Sequence, residues 1–157
     1  MASDFDNFGD LEDLYQQVII DHSRNPRNFG DVPDADGRAE GYNPLCGDRV
    51  SISIRRQDDR IADAGFTGKG CAICTASCSM LTQSIKGAST GEFRAKFERF
   101  HRMLTSSEDT GADEEVLGKL AVFAGVKKYP VRVKCATLAW HTLKAALENK
   151  DDPVSTE

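Results

Sequence analysis

The 157-residue chain contains no apolar run near the roughly 18 residues that a membrane helix needs. Its first residues, with Asp4, Asp6, Asp10, Glu12 and Asp13, are too acidic to read as a secretion signal, so a cytoplasmic location and no membrane partner are expected. Excess cationic charge is also missing. The formal net charge of −5 argues against general affinity for nucleic acid. There is no internal repeat and no low-complexity tract. Cys46, Cys71 and Cys135 are dispersed and do not form the paired C-x-x-C pattern of a zinc finger, and no His with an Asn or Asp context suggests a cysteine-hydrolase triad. Five cysteines, an odd number without a secretion signal, argue against a disulfide framework and toward metal binding or thiol chemistry.

What is present suits one soluble domain over residues 1–157, with 1–10 and 150–157 as loose tails: 39% of residues are apolar and 29% charged. Leu14, Val18 and Ile19, with Tyr15 alongside, predict a helix from Leu11 that ends before Asn25-Pro26. His22 near its end reads as a partly exposed capping histidine. Three strands are expected at Arg38–Tyr42, Arg49–Arg56 and Ile61–Thr67. In the middle one Val50, Ile52 and Ile54 alternate with Ser51, Ser53 and Arg55. Helices are expected at Cys71–Lys86, Thr90–Leu104 and Glu114–Phe123, with a polar linker at Thr105–Asp113. Val131–Glu148 should start extended and become helical by Cys135, carrying Leu138, Trp140, Leu143 and Leu147 inward. The fold class is α+β: a three-stranded antiparallel sheet covered by an N-terminal helix and a C-terminal group of about four helices.

Chemistry concentrates in three places. Asn43-Pro44-Leu45-Cys46-Gly47-Asp48 is a turn that sets a thiol and a carboxylate two residues apart. Gly68-Lys69-Gly70-Cys71 delivers a thiol to a helix start, where free N–H groups and the dipole favour a thiolate. Cys135 lies near the start of the last helix. Between Cys46 and Cys71 there are 24 residues and between Cys71 and Cys135 there are 63, so spacing alone says little. Packing helix starts over the end of the sheet would unite Cys46, Asp48, Cys71 and Cys135. Three thiolates and a carboxylate make a tetrahedral zinc set, and the carboxylate, a harder and more exchangeable donor, suits a site that rearranges.

These motifs, with Arg132-Val133-Lys134-Cys135-Ala136-Thr137-Leu138-Ala139-Trp140 and the opening Leu14-Tyr15, His22, Asn25-Pro26-Arg27-Asn28 and Gly30, closely resemble the SufU/IscU (NifU N-terminal-like) iron–sulfur cluster assembly family over residues 11–148. Lys134, where the classical scaffold branch has His, and the long stretch Gly87–Pro130 resemble the SufU branch. The resemblance implies a zinc-dependent sulfur acceptor, or sulfurtransferase, taking persulfide sulfur from a SufS-type cysteine desulfurase and working with other iron–sulfur assembly proteins. It implies Cys46, Asp48, Cys71 and Cys135 as the zinc ligands, Cys46 as the thiol that leaves the metal and accepts sulfur when the partner supplies a replacement ligand, and Arg132 in a supporting role near the metal, unless Arg132 is simply a solvated charge. The alternative is a scaffold holding iron or a [2Fe–2S] cluster on the same residues; a purely structural zinc is the third possibility.

Cys74 and Cys78 depart from the family, which usually has small residues there. With Cys71 they follow one helix face at i, i+3 and i+7. Cys78 would sit about 10 Å along the axis from Cys71, too far to share a metal. They are expected as small core fillers, with a redox or sulfur-relay role as the alternative, and Cys74 could substitute for a neighbouring ligand. His101 and His141 are expected as structural or surface histidines.

Overall fold

The computed structural model describes residues 4–106, 114–149 and 153–155. In chain order they form α1 (Asp4–Arg24), β1 (Gly37–Asn43), β2 (Asp48–Gln57), β3 (Arg60–Lys69), α2 (Ala72–Ile85), α3 (Thr90–Thr105), α4 (Glu114–Leu117), a 3-10 helix (Gly118–Lys128), α5 (Pro130–Leu147) and β4 (Val154–Ser155). The expected linker lies outside the described residues from position 107 onward.

The alternation in β2 sets the sheet. Val50, Ile52 and Ile54 point to the core and are buried, and β2 pairs antiparallel with β1 on one side and β3 on the other. Ala39 stands opposite Ile52 in β1, and Phe66 opposite Ile52 in β3. The expected three strands are joined by a fourth: β4 pairs parallel with β1, Gly41 to Val154 and Tyr42 to Ser155, giving the order β3-β2-β1-β4. At the other edge, Gly30 N–H donates to the Phe66 carbonyl at 2.7 Å and Phe66 N–H to the Asn28 carbonyl at 3.1 Å.

Helix α5 lies across β1 and β2, α2 packs on β3 and α5, and α1 lies on α2 and the 3-10 helix. The close approach of α5 needs glycine in β1. A methyl group at Gly41 would collide with the Thr142 hydroxyl, and one at Gly37 would come within 2.5 Å of the Ala146 carbonyl. Beneath α5, Trp140 stacks on Phe100 with ring centres 4.4 Å apart, and Phe100 meets Phe123 edge-on.

Several expectations are corrected. Helix α1 begins at Asp4 rather than Leu11. Its inward stripe is Tyr15, Val18, Ile19 and His22, at i, i+3, i+4 and i+7, whereas Leu14 is 57% exposed. Helix α5 starts at Pro130, not near Cys135, because proline at the first helical position loses no hydrogen bond and its φ already suits the helix. Only Glu114–Leu117 of the expected helix is α-helical; Gly118 at φ +57° switches the chain into 3-10 geometry through Lys128. His22 is buried instead of partly exposed: its Nδ1 lies 2.7 Å from Ser79 Oγ, which also accepts the Arg27 backbone N–H at 2.9 Å.

Two predictions follow from this packing. Gly41→Ala should destabilise the fold by about 3 kcal/mol, since neither α5 nor β1 can yield without uncovering the core; urea unfolding checks this, and a loss under about 0.5 kcal/mol would contradict it. Burial lowers the His22 pKa from its usual value, with Arg27 adding to the shift. The unfolded chain therefore takes up the proton first. The His22 contribution is complete above pH of about 6.5 and is lost as pH falls through the depressed folded value. Thermal unfolding at pH 7.5 and 5.0 should show a smaller drop for His22→Gln than for wild type; an equal drop would refute this titration.

Candidate metal centre

Each donor is placed by a backbone requirement legible in its own segment. The β1–β2 register closes on the pair Asn43 and Asp48, leaving Pro44-Leu45-Cys46-Gly47 as the hairpin tip. Gly47 adopts φ +72°, the left-handed conformation that lets the tip turn back into β2. Asn43 Oδ1 accepts the Leu45 N–H at 3.2 Å, which fixes the turn from inside. Cys46 is exposed at this tip, while Asp48, at the first residue of β2, is fully buried.

The end of β3 feeds α2 through Gly70, and Cys71 is the N-cap. Its Sγ accepts the Cys74 N–H at 3.4 Å, taking the place usually filled by Ser or Asp. Asp48 Oδ1 accepts the Cys71 N–H at 2.8 Å, and Oδ2 lies 3.8 Å from Cys71 Sγ. From α5, Cys135 Sγ reaches within 3.1 Å of Cys46 Sγ. It sits in the second turn, so the helix start favours a thiolate there less than at Cys71. Asn43 Nδ2 donates toward Cys135 Sγ at 3.5 Å. Donor atoms of Cys46, Asp48 and Cys135 all lie within 4.8 Å of one another.

The thiols are not equivalent. Hydrogen bonding from Cys135, aided by the Cys74 and Ile73 N–H groups, lowers Cys71 to about 7 against the opposing effect of burial. Cys135 is pushed up by that same pairing with Cys71, then by burial and by Cys46. Cys74 is raised well above its ordinary value by a hydrogen bond with Cys78 and by burial. Cys71 thus offers a thiolate near neutrality beside Asp48, whereas Cys135 and Cys74 give up their protons only when a cation compensates them.

This donor set fits zinc. Ligand atoms of a tetrahedral Zn²⁺ stand about 3–4 Å apart, close to the spacings already present, and each donor hangs from a different element, so small adjustments close the shell. Of the four residues expected from the sequence, Cys46, Asp48 and Cys135 converge within 4.8 Å of one another, and Cys71 adjoins them through Asp48, its Sγ 3.8 Å from Oδ2. Arg132 does not join the donors: it is exposed on the first turn of α5 and lines a neighbouring cleft of about 270 Å³ with Tyr15, Ile73 and Tyr129. Sequence reading missed Asn43, which anchors the tip and faces Cys135. Its signal was the Asn-Pro pair, visible as a turn former, but the contact with Cys135 depends on how α5 packs. Leu45, next to Cys46 on the tip, and Tyr129 and Val131, at the start of α5, leave apolar surface in solvent.

Comparison with known proteins agrees with this architecture. The NifU-like N terminal domain matches residues 14–136. The chain is 39% identical to the zinc-dependent sulfurtransferase SufU of Bacillus subtilis (strain 168), over 90% of this chain and 94% of that protein. It is equally 39% identical to the iron–sulfur cluster assembly scaffold protein IscU of Streptococcus pyogenes serotype M1, over 88% and 85%. The crystal structure of a putative iron–sulfur cluster assembly scaffold protein for the SUF system from Fervidobacterium islandicum AW-1 superposes with a TM-score of 0.77 at 37% identity, covering 83% of this chain and 93% of that one. With the family model spanning most of the chain and relatives matched over nearly their whole length, the chain belongs to the NifU-like N-terminal domain family, among relatives named SufU and IscU.

Proposed function

We propose that this protein is a zinc-dependent sulfur acceptor in iron–sulfur cluster assembly, receiving persulfide sulfur from a SufS-type cysteine desulfurase on Cys46. The observation that carries this reading is the contrast between Cys46 and the other donors. Asp48 and Cys135 are fully buried and Cys71 partly so, each within a strand, a helix or a helix cap, whereas Cys46 alone is exposed on a four-residue tip. A donor that must leave and meet a partner is best placed there.

Bound zinc would keep the thiols of Cys46, Cys71 and Cys135 deprotonated at neutral pH and protected from oxidation. Released Cys46 thiolate attacks the outer sulfur of the partner's persulfide. A new S–S bond forms on Cys46, the partner's S–S bond breaks, and the partner's cysteine departs as thiolate. Asp48 holds the Cys71 N–H throughout, so the helix start stays in position while the tip moves. Leu45 beside Cys46, with Tyr129 and Val131 at the start of the helix that carries Cys135, offers the partner an apolar contact. Arg132, exposed on the first turn of α5, supplies positive charge beside that contact and assists rather than ligates.

A second reading, a scaffold carrying a [2Fe–2S] cluster on the same residues, draws on the scaffold names of several relatives. Metal content separates the two. Protein purified without added metal should hold about one zinc per chain, as a single four-donor site requires. Cys46→Ala should reduce stimulation of a SufS-type desulfurase at least tenfold with an unchanged far-UV CD spectrum. Zinc-free protein together with full stimulation by Cys46→Ala would sink the proposal. A lowered Tm without loss of sulfur transfer would point to a structural metal, and anaerobic reconstitution with transfer of a cluster to an apoprotein would favour the scaffold.

A further inference from the structure

A fifth donor lies directly behind the four. Cys74 follows Cys71 by three residues at the start of α2, the C-x-x-C spacing with which two thiolates of one helix start commonly chelate a single metal. Its Sγ is fully buried, so it reads as core filling, but its surroundings say more. A methyl group at Gly70 would meet Cys74 Sγ at 3.0 Å and Asp48 Oδ1 at 3.2 Å. The thiol and the carboxylate therefore border one small space, which the absent side chain of Gly70 keeps open. Gly70 has no positive φ to explain it, so the requirement there is for room and not for backbone freedom. Cys78, one turn further on, lies too far along the helix to join them.

We infer that Cys74 is a reserve metal ligand, taking the coordination position that Cys46 vacates. This rests on the zinc reading above and extends it. When Cys46 leaves, Cys74 gives up its thiol proton to solvent, exchanges its contact with Cys78 for the space beside Gly70, and completes a set of Cys71, Cys74, Cys135 and Asp48. The number of thiolates is unchanged, so the metal stays bound while Cys46 is free to react. The swap is local: Cys74 needs only a side-chain rotation within the first turn of a helix whose N-cap is already a ligand.

Cobalt substitution tests this directly, because thiolate-to-cobalt charge-transfer absorbance scales with the number of bound thiolates. Wild type should show three. Cys46→Ala should also show three, and Cys46→Ser serves the same comparison should the alanine variant not fold. Cys46→Ala/Cys74→Ser should lose about a third of that absorbance and bind zinc at least tenfold more weakly in a chelator competition than Cys46→Ala. Cys46→Ala/Cys78→Ser should match Cys46→Ala, with CD confirming the fold of each. If Cys46→Ala already shows only two thiolates, or the Cys74 variant equals its parent, the reserve ligand is wrong and the zinc reading stands. If wild type binds cobalt without thiolates, both fall.

Discussion

The hydrogen bond from the Cys71 backbone N–H to Asp48 Oδ1, 2.8 Å and inside the protein, is the contact on which the site depends. It joins the first residue of β2 to the N-cap of α2, so the hairpin tip cannot drift from the helix start. Charge-assisted bonds of this kind are among the stronger ones in proteins, and a buried carboxylate left without it would be expensive. Once this bond is made, Cys46 is two residues away along the chain and Cys71 is the donor itself. Only Cys135 remains to be delivered, and α5 brings it by lying across glycines of β1 that permit close approach.

That arrangement also explains why the thiols differ. At a helix N-cap, Cys71 receives the Cys74 N–H, and its pKa is lowered to about 7. Cys135, a turn further into its own helix, donates to its neighbours and is held protonated. A cation entering the cluster meets one ready thiolate and one carboxylate, then draws the remaining protons off. Binding and deprotonation are thereby coupled, and the donor most exposed to solvent is the one with the least to hold it.

Much of this was legible in the chain. The alternation of Val50, Ile52 and Ile54 is a direct consequence of strand geometry, and Gly-Lys-Gly followed by Cys71 announces a turn into a helix. The four donors came from the local character of their segments and from the resemblance of those segments to one family. Other features depended on distant partners. His22 reads as a helix-end cation until Ser79, 57 residues away, is packed against it. Nothing in Val154–Ser155 marks a strand, because two residues pair through backbone alone. Pro130 is ambiguous by nature: it ends helices when interior and opens them when first, and only the packing of α5 decides. Asn43 needed both its turn and Cys135 to reveal what it does.

The guarded sheet edges constrain how any second protein recognises this one. Backbone from Asn28 to Gly30 lies along β3, and β4 occupies part of β1. Over those stretches a visiting chain finds its hydrogen-bonding groups taken, so recognition by adding a strand is discouraged. Association is left to side chains, among which Leu45 beside Cys46 and Tyr129 and Val131 at the start of α5 are exposed apolar ones. A contact read through side chains can be retuned one substitution at a time. Related proteins sharing this fold can thus diverge in their choice of partner while the backbone that positions the cysteines stays the same.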